Sequence, residues 1–287
     1  MKLLFTGASG FLGSNVRPLL EGMYGVKTVG LSPKDDYTID IAKEIPVLRE
    51  RYDIVLHVAG KAHSVPKTEA ERQVFFDVNL QGTKNLCTAL ERRRVPRAFI
   101  FISTVAVYGC AYGENITEDH PLDGDTPYAM SKRLAEEYLQ KWCYEHNVIL
   151  GIIRPSLITG PNPPGNLGAM IHGIRSGKYL SIAGGQARKS VLMVQDIAKL
   201  VSLLAEKGGI YNVCDSHHPT FRELETTICR QLDKKLPLSI PYWVAKCMAL
   251  AGDCLGRKAP INSLKLDKIT KSLTFSNEKA IRELGWK

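Results

Sequence analysis

The chain begins with Met1-Lys2-Leu3-Leu4-Phe5-Thr6-Gly7-Ala8-Ser9-Gly10-Phe11-Leu12-Gly13, and this run carries the strongest structural signal in the sequence. An apolar run at 2–5, a glycine turn and helical spacing over 11–20 predict a strand, a turn and a helix. Such a turn lets the backbone approach a pyrophosphate above the helix N-terminus, while the last glycine allows close packing of helix on strand. We therefore expect a dinucleotide to contact Gly7, Ser9, Gly10, Phe11, Leu12 and Gly13.

The same alternation continues to about residue 155. Further strands are predicted at 26–31, 53–58, 98–102 and 148–153, and further helices at 41–50, 69–93 and 127–145. Strands that alternate with helices pair in parallel, and continuous apolar runs fit strands that are covered on both faces. We therefore predict an α/β fold with a doubly wound parallel sheet of the Rossmann type.

The regular alternation of strands and helices ends after Pro155, where a loop rich in glycine and proline follows at 160–165. We place a domain boundary here. Residues 1–155 form the NAD(P)-binding domain, to which some later segments return, and residues 156–287 form mainly a smaller C-terminal α/β substrate-binding unit. Helices are predicted there at 167–175, 194–205 and 221–231, with short strands at 179–182 and 211–213.

Residues 243–255 form an apolar helix candidate with basic residues around it. Two interpretations stay open. The helix either belongs to the core or a lid, or it lies at an interface and keeps the protein in peripheral contact with a membrane. The nearby basic residues are Lys235, Lys246, Arg257 and Lys258.

Composition excludes several classes of protein. The 287 residues carry a net charge of +9, but no nucleic-acid motif accompanies it, and a phosphorylated small substrate explains the charge as well. The seven cysteines are widely separated, without a C-x-x-C pair, so we expect reduced thiols and no metal site. No apolar stretch approaches the roughly 18–20 residues of a transmembrane helix, and we expect no signal peptide ahead of the first strand. A cytoplasmic location is expected.

Acid–base chemistry is indicated by Tyr128-Ala129-Met130-Ser131-Lys132. On a helix this spacing puts a phenol and an ammonium on one face, where the cation and an oxidised nicotinamide ring would lower the pKa of the tyrosine. The apolar strand at 98–102 ends in Ser103 and Thr104. Ligands of open α/β sheets bind beyond the carboxyl ends of the strands, so both hydroxyls are expected near the nicotinamide and the substrate carbonyl.

The end of the second strand bears on the choice of cofactor. An acidic residue there would bind the adenosine ribose, but this chain has Ser32 and Lys34, which can accommodate a 2′-phosphate. The sequence thus leans slightly to NADP over NAD, although Asp35 and Asp36 follow closely and could restore NAD selectivity. Asp40 either contacts the adenine amino group or caps a helix that starts at Ile41.

With these motifs, the chain resembles the extended short-chain dehydrogenase/reductase family of nucleotide-sugar enzymes. The likeness covers essentially the whole chain and includes His57-Val58-Ala59-Gly60, Val78-Asn79-Leu80-Gln81-Gly82-Thr83 and Arg154-Pro155. It departs from the family at Gly60, where alanine is usual, and at the acid missing after the second strand. The resemblance implies a homodimer built on the helices at 69–93 and 127–145.

The resemblance also implies roles for individual residues. Tyr128 is the proton donor or acceptor, Thr104 hydrogen-bonds the reacting oxygen, and Lys132 holds the nicotinamide ribose. Further cofactor contacts are expected at Asp40, Ile41, Val58, Ala59, Asn79 and Pro155. Substrate contacts are expected at Ser103, Thr104, Tyr128, Asn166, Arg188 and Lys189. Asn166 and one of the two cations are placed near the substrate diphosphate, with surface positions as the alternative.

Residues 165–190 and the C-terminal Leu284-Gly285-Trp286-Lys287 are most similar to bacterial enzymes that reduce UDP-4-keto-6-deoxy-N-acetylhexosamines in surface-polysaccharide synthesis. This predicts an NAD(P)H-dependent reductase of the C4 keto group of a UDP-linked 6-deoxy sugar. The alternative is a UDP-hexose 4-epimerase that retains NAD, and a non-catalytic NADP-binding sensor is the alternative from another class. A dehydratase is disfavoured because Val105-Ala106 replaces the acid pair that many family dehydratases carry.

Overall fold

The computed structural model describes residues 1–255 and 261–286. In chain order its strands are β1 (Lys2–Thr6), β2 (Gly25–Gly30), β3 (Tyr37–Thr38), β4 (Ile54–His57), β5 (Ala98–Ile102), β6 (Gly113–Ile116), β7 (Ile149–Pro155), β8 (Leu157–Thr159), β9 (Ser181–Ile182), β10 (Val191–Met193), β11 (Gly209–Val213), β12 (Ser239–Ile240) and β13 (Leu273–Phe275). The helices are α1 (Phe11–Glu21), α2 (Glu69–Phe76), α3 (Gly82–Arg93), α4 (Pro127–Glu145), α5 (Gly165–Arg175), α6 (Ile197–Lys207), α7 (Phe221–Leu232), α8 (Tyr242–Leu255), α9 (Ser263–Thr270) and α10 (Glu278–Leu284).

Seven strands form one parallel sheet in the order β11-β7-β5-β4-β1-β2-β3. The side chains of β1 alternate between two cores. Leu3 and Phe5 pack with α1 and α6 on one face of the sheet, and Leu4 packs with α3 and α4 on the other. The predicted doubly wound α/β fold is therefore confirmed.

The predicted helix at 41–50 is wrong. Only one turn forms there, in which the amides of Lys43 and Glu44 both donate to the Asp40 carbonyl at 3.0 Å. Pro46 ends it, because proline has no amide hydrogen to donate and its ring disfavours the helical conformation at Ile45.

The predicted helix at 69–93 forms with an interruption. A π-helical turn, Asp77–Gln81, separates α2 from α3. Such turns rotate the side chains that follow them and recur at functional sites. Here the turn carries the buried Asn79.

Parts of the chain after residue 155 return to the main sheet. β11 pairs with β7, and α6, α10 and Trp286 pack in the same core as β1. Separate small cores join α5 to α7 and α8 to α9. The division at residue 155 stays a prediction. None of the helices within the described residues is both long and apolar enough to cross a bilayer.

A buried ion pair joins α4 to β7 directly behind the end of β5. Arg154 Nη2 lies 2.6 Å from Glu136 Oε2, and both side chains are buried. Glu136 also accepts a hydrogen bond from Ser103, and Arg154 Nη1 donates to the Tyr108 hydroxyl at 3.0 Å. Each buried charge is thus compensated, and the network fixes the chain where β5 ends.

Glu136→Gln is expected to lower the free energy of unfolding by about 3–5 kcal/mol, because it leaves the Arg154 charge buried without a counter-charge. Glu137→Gln is the matched control, since this exposed carboxylate lies 3.7 Å from Arg133 and its pair is worth less than about 1 kcal/mol. Urea unfolding monitored by circular dichroism measures both values. Equal effects of the two substitutions would contradict this account.

Candidate active site

A cleft of about 650 Å³ opens at the carboxyl ends of the parallel strands. Its size and its place in the fold suit a small-molecule ligand. The sequence-predicted residues that line it are Gly7, Ser9, Gly10, Phe11, Leu12, Asp40, Ile41, Val58, Ala59, Ser103, Thr104, Tyr128, Lys132 and Pro155. The other predicted residues, Gly13, Ser32, Lys34, Asn79, Asn166, Arg188 and Lys189, are not part of the lining.

The glycine turn forms one end of the cleft. Gly7 has φ +74°, and a Cβ there would lie 2.6 Å from the Ala59 nitrogen. A Cβ at Gly13 would lie 2.2 Å from the Gly7 carbonyl oxygen, so glycine is needed where α1 meets the turn. Helix α1 starts at Phe11 without a side-chain cap, which leaves amide hydrogens of its first turn for a ligand. This cradle fits the pyrophosphate of a nicotinamide dinucleotide.

An acidic side chain does stand at the end of β2, although the local sequence places serine and lysine there. Asp35 is buried, and its Oδ2 accepts from the Ser32 amide at 3.0 Å. It is so close that a Cβ on the cleft residue Gly30 would lie 2.5 Å from this oxygen. Asp36 instead bonds back to β2 through the Thr28 amide. A carboxylate beside Gly30 would repel a 2′-phosphate on the adenosine ribose.

Asp40 caps the single turn that replaces the predicted helix, and its contact with the adenine amino group stays a prediction. Its Oδ1 accepts from the Ala42 amide at 3.1 Å, and the residue also lines the cleft.

Ser156 lines the cleft as well, and it was not predicted from the sequence. It follows β7 as Ser103 follows β5, and its buried hydroxyl has no hydrogen-bond partner within the described residues. The free hydroxyl on the lining fits a polar ligand.

Thr104, Tyr128 and Lys132 all line the cleft. Thr104 caps a short 3-10 turn, Val105–Tyr108, and accepts from the Ala106 amide at 3.1 Å. Tyr128 lies in the first turn of α4. Burial raises the pKa of Tyr128, and a hydrogen bond with Thr104 partly offsets this rise. The ligand-free site therefore holds the phenol in its protonated form at neutral pH.

Lys132 lies one helical turn after Tyr128 and is buried. Its Nζ donates to the Ile102 carbonyl at 2.8 Å and lies 4.5 Å from the centre of the Phe101 ring. Burial lowers the pKa of Lys132 from 10.5 to about 8, against the opposing effect of the Glu136 carboxylate. At pH 7 the Lys132 side chain is therefore mostly protonated, although its burial disfavours the charged form.

The loop after β4 is fastened beside this lysine by Asn79. The Asn79 amide side chain donates to the Lys61 carbonyl at 3.1 Å and to Ser131 Oγ at 2.9 Å, and it accepts from the Lys61 amide at 2.7 Å. A Cβ at Gly60 would lie 3.1 Å from both Lys132 Nζ and Asn79 Oδ1. Glycine at 60, where the resembled family usually has alanine, leaves room for both groups. Asn79 thus lies behind the lining and supports it.

His57 is structural in this arrangement. Its ring nitrogens bond to Thr6 at 2.6 Å and to Thr83 at 2.9 Å, and burial lowers the pKa of His57 to about 3. The neutral ring has both nitrogens occupied, so it cannot serve as an acid or base at neutral pH.

The residues predicted for the substrate diphosphate lie apart from the cleft lining. Asn166 is exposed at the start of α5. Arg188 Nη1 donates to the His218 carbonyl at 2.8 Å, and Lys189 Nζ donates to the Lys271 carbonyl at 3.0 Å. Their place in substrate binding stays a prediction, and so does any role for Ser32 and Lys34 in holding the cofactor.

Lys132→Met is expected to stabilise the ligand-free protein by about 2 kcal/mol at pH 7. The lowered pKa of Lys132 means that folding disfavours its protonated form by about 3 kcal/mol, and the variant no longer carries this cost. The variant also loses the hydrogen bond to Ile102, which lowers its stability by about 1 kcal/mol. Between pH 8 and 10.5 the unfolded lysine binds a proton that the folded one does not. Wild-type stability therefore rises through this range relative to the variant.

Urea unfolding at pH 7, 8 and 10 measures this effect, with Lys141→Met on the same helix as the exposed control. The control should change stability by less than about 0.5 kcal/mol at each pH. A Lys132→Met protein that is less stable than wild type, or a difference that does not depend on pH, would contradict the assignment.

The sequence matches the NAD dependent epimerase/dehydratase family over residues 3–214. It is 28% identical to the N-acetyl-alpha-D-glucosaminyl-diphospho-ditrans,octacis-undecaprenol 4-epimerase of Escherichia coli O157:H7, over 96% of this chain and 88% of that protein. It is 27% identical to the UDP-glucose 4-epimerase of Vibrio cholerae, over 99% and 90%. It is 28% identical to the GDP-6-deoxy-D-mannose reductase of Pseudomonas aeruginosa, over 78% and 77%.

Solved structures share the fold. A UDP-glucose 4-epimerase from Thermotoga maritima with UDP-glucose superposes with a TM-score of 0.76 at 22% identity, covering 100% of this chain and 93% of that one. RMD from Pseudomonas aeruginosa with NADPH gives 0.74 at 24% identity, with the same coverage. The family match spans well over half of the chain and includes the glycine cradle, Thr104, Tyr128 and Lys132. The chain therefore belongs to the NAD-dependent epimerase/dehydratase family, whose members are enzymes that use a nicotinamide dinucleotide.

Proposed function

We propose that this protein transfers hydride between a nicotinamide dinucleotide and C4 of a sugar that is linked through a diphosphate to a nucleoside. The observation that carries the proposal is the meeting of Thr104, Tyr128 and Lys132 in one cleft with the glycine cradle. A hydroxyl, a phenol and an ammonium in this arrangement can move a proton on and off a sugar oxygen next to a hydride donor. The relatives that act on nucleotide sugars support the substrate class.

The chemistry divides between cofactor and protein. The dinucleotide supplies or accepts the hydride when it is bound. Tyr128 donates a proton to the sugar oxygen in the reductive direction and removes it in the oxidative one, while Thr104 hydrogen-bonds the same oxygen. Lys132 stabilises the phenolate by its charge, since a cation close to a tyrosine lowers the pKa of the phenol.

Within this chemistry we favour reduction of the C4 keto group of a UDP-linked 6-deoxy sugar. A reduction consumes the protonated phenol, and this is the form of Tyr128 that burial stabilises in the ligand-free site. The reduced nicotinamide is uncharged, so its binding brings no further cation to lower the pKa of Tyr128. The sequence resemblance over residues 165–190 and a 28% identical reductase of a 6-deoxy sugar support the same assignment.

The second candidate is a 4-epimerase. Asp35 beside Gly30 favours an unphosphorylated ribose, and hence NAD, which an epimerase retains and regenerates in each cycle. Two relatives are epimerases in name, and one of these carries its sugar on undecaprenyl diphosphate. The two candidates use the same residues. They differ in whether the keto sugar rotates within the site between two hydride transfers.

The deciding experiment is identification of any nucleotide released by acid from freshly purified protein, followed by turnover assays. A UDP-4-keto-6-deoxy sugar is offered with NADPH and with NADH, and UDP-glucose and UDP-N-acetylglucosamine are offered alone. Consumption of reduced cofactor supports the reductase. Retained NAD together with conversion of a UDP-sugar into its C4 epimer supports the epimerase. If the protein shows neither activity, the proposal of hydride transfer at C4 of UDP-sugars is contradicted.

Tyr128→Phe is expected to lower kcat on the active substrate by about 10²–10⁴-fold, because the proton is then left without a positioned donor. The dissociation constant for the preferred dinucleotide should change less than about threefold, since the ring itself stays in the cleft. Isothermal titration and steady-state rates separate the two quantities. Tyr138→Phe on the same helix is the matched control, and unchanged kcat in Tyr128→Phe would remove this residue from the mechanism.

A further inference from the structure

Helix α8, Tyr242–Leu255, is packed on one side only. Among its described side chains, the buried positions are Ala245, Ala249 and Gly252, which follow each other at helical spacing. Ala245 and Ala249 pack with Leu266 of α9 and Ile182 of β9. Small residues thus make the inward contact. The helix is joined to the rest of the fold through β12, which pairs with β9.

The opposite side of α8 is apolar as well. Trp243, Cys247, Leu250 and Cys254 recur at i, i+4, i+7 and i+11 and so form a single outward stripe. All four are exposed, Trp243 to 69% and Leu250 to 54%. A helix on a water-facing surface carries polar residues along this side, whereas here the largest side chains point away from the protein.

Further exposed apolar side chains lie on the segments attached to α8. Leu238 is 78% exposed immediately before β12, and Leu264 is 75% exposed in the first turn of α9. The start of α9 is tied to α8, because Asp253 accepts from the amide and the hydroxyl of Ser263. The outward stripe therefore has apolar neighbours near both of its ends.

The positive charge of the chain is concentrated in the same region. Residues 234–271 contain eight Lys and Arg but only two Asp and no Glu, while the remaining sequence holds thirty basic and twenty-seven acidic residues. Lys234 and Lys235 are exposed just before the apolar segment begins, and Lys246 is exposed on α8 beside the stripe. An apolar stripe bordered by lysines is complementary to a surface with anionic groups above an apolar layer.

We propose that α8 docks this protein on an anionic lipid bilayer, with the stripe of Trp243, Cys247, Leu250 and Cys254 among the acyl chains and the lysines at the headgroups. Fourteen residues of helix extend about 21 Å, too short to cross the hydrocarbon layer, so α8 lies in the interface. The inward face is already occupied, which leaves no reason to assign α8 to the core. A second copy placed on this face would bring two equally basic regions together, and their repulsion opposes that arrangement. The docking does not depend on which sugar is converted.

Vesicle binding tests the proposal on the full-length protein without substrate. We expect co-sedimentation with vesicles of phosphatidylglycerol and phosphatidylcholine, weaker binding at 1 M than at 0.1 M salt, and little binding to phosphatidylcholine alone. Tryptophan fluorescence gives a local readout, because Trp142 and Trp286 are buried and Trp243 is exposed. Emission should shift to shorter wavelength on binding and should be quenched by brominated acyl chains.

The double variant Trp243→Ser, Leu250→Ser should bind at least tenfold more weakly, since both large apolar side chains of the stripe are lost. Val47→Ser with Tyr144→Ser is the matched control, because it removes two other exposed apolar side chains and should bind as wild type does. Circular dichroism and thermal melting verify that both variants are folded. Absence of wild-type binding to anionic vesicles, or equal binding by the stripe variant, would overturn the proposal.

Sedimentation velocity separates lipid docking from self-association. A wild-type dimer that the stripe variant converts to monomer, without vesicle binding by either protein, would show that a second copy covers α8 and would refute lipid docking. Because no sugar or dinucleotide enters these assays, their failure is distinct from failure of the proposed C4 chemistry.

Discussion

The close approach of α1 to the end of β1 determines where everything else in the cleft can lie. With only 2.2 Å between the Gly7 carbonyl oxygen and the position of a Cβ on Gly13, the helix axis stands closer to the strand than any side chain would allow. The first turn of α1 then lines the cleft next to the ends of the neighbouring strands β1 and β4. The cleft also includes the residues that follow β5 and β7, because parallel strands place all their carboxyl ends at one edge. Thr104, after β5, and Tyr128 and Lys132, on α4, therefore line the same cleft as the glycine turn.

Electrostatics in this site oppose stability and serve reactivity. A lysine that burial holds near pKa 8 is an ammonium poorly solvated by its surroundings, with one carbonyl and one aromatic face as its contacts. Such a cation gains most when a negative charge appears nearby, and in the proposed mechanism that charge is the phenolate of Tyr128. Behind it, Glu136 and Arg154 compensate each other and hold Ser103 in place. Ser156, whose buried hydroxyl has no partner within the described residues, lies on the wall of the cleft and is open to a polar ligand.

The sequence predicts the features that depend on local spacing and leaves open those that depend on chain reversal. Glycine spacing, strand–helix alternation and the positions of Thr104, Tyr128 and Lys132 follow from the sequence because each is set within one turn or one strand. Asp35 reaches the end of β2 only after the backbone folds back on itself, so the motif position shows serine and lysine instead. Apolar spacing at 41–50 is helical, but Pro46 removes the hydrogen bond that a second turn requires. Arg188 and Lys189 were placed by resemblance, and tertiary contacts direct both side chains to backbone carbonyls away from the lining.

Helix α8 shows why periodicity alone leaves a surface helix ambiguous. A predominantly apolar segment fits a helix surrounded by protein as well as one with protein on one side and lipid on the other. The difference lies in the sizes of the residues on each face. A helix surrounded by protein places large side chains inward where cavities must be filled, whereas α8 places alanine and glycine inward and tryptophan and leucine outward. Burial away from water stabilises large apolar side chains the most. Large side chains on the outward face of α8 are therefore stabilising only where that face is also removed from water. The excess of lysine and arginine around α8 restricts the surface that can supply this environment to one with negative charge.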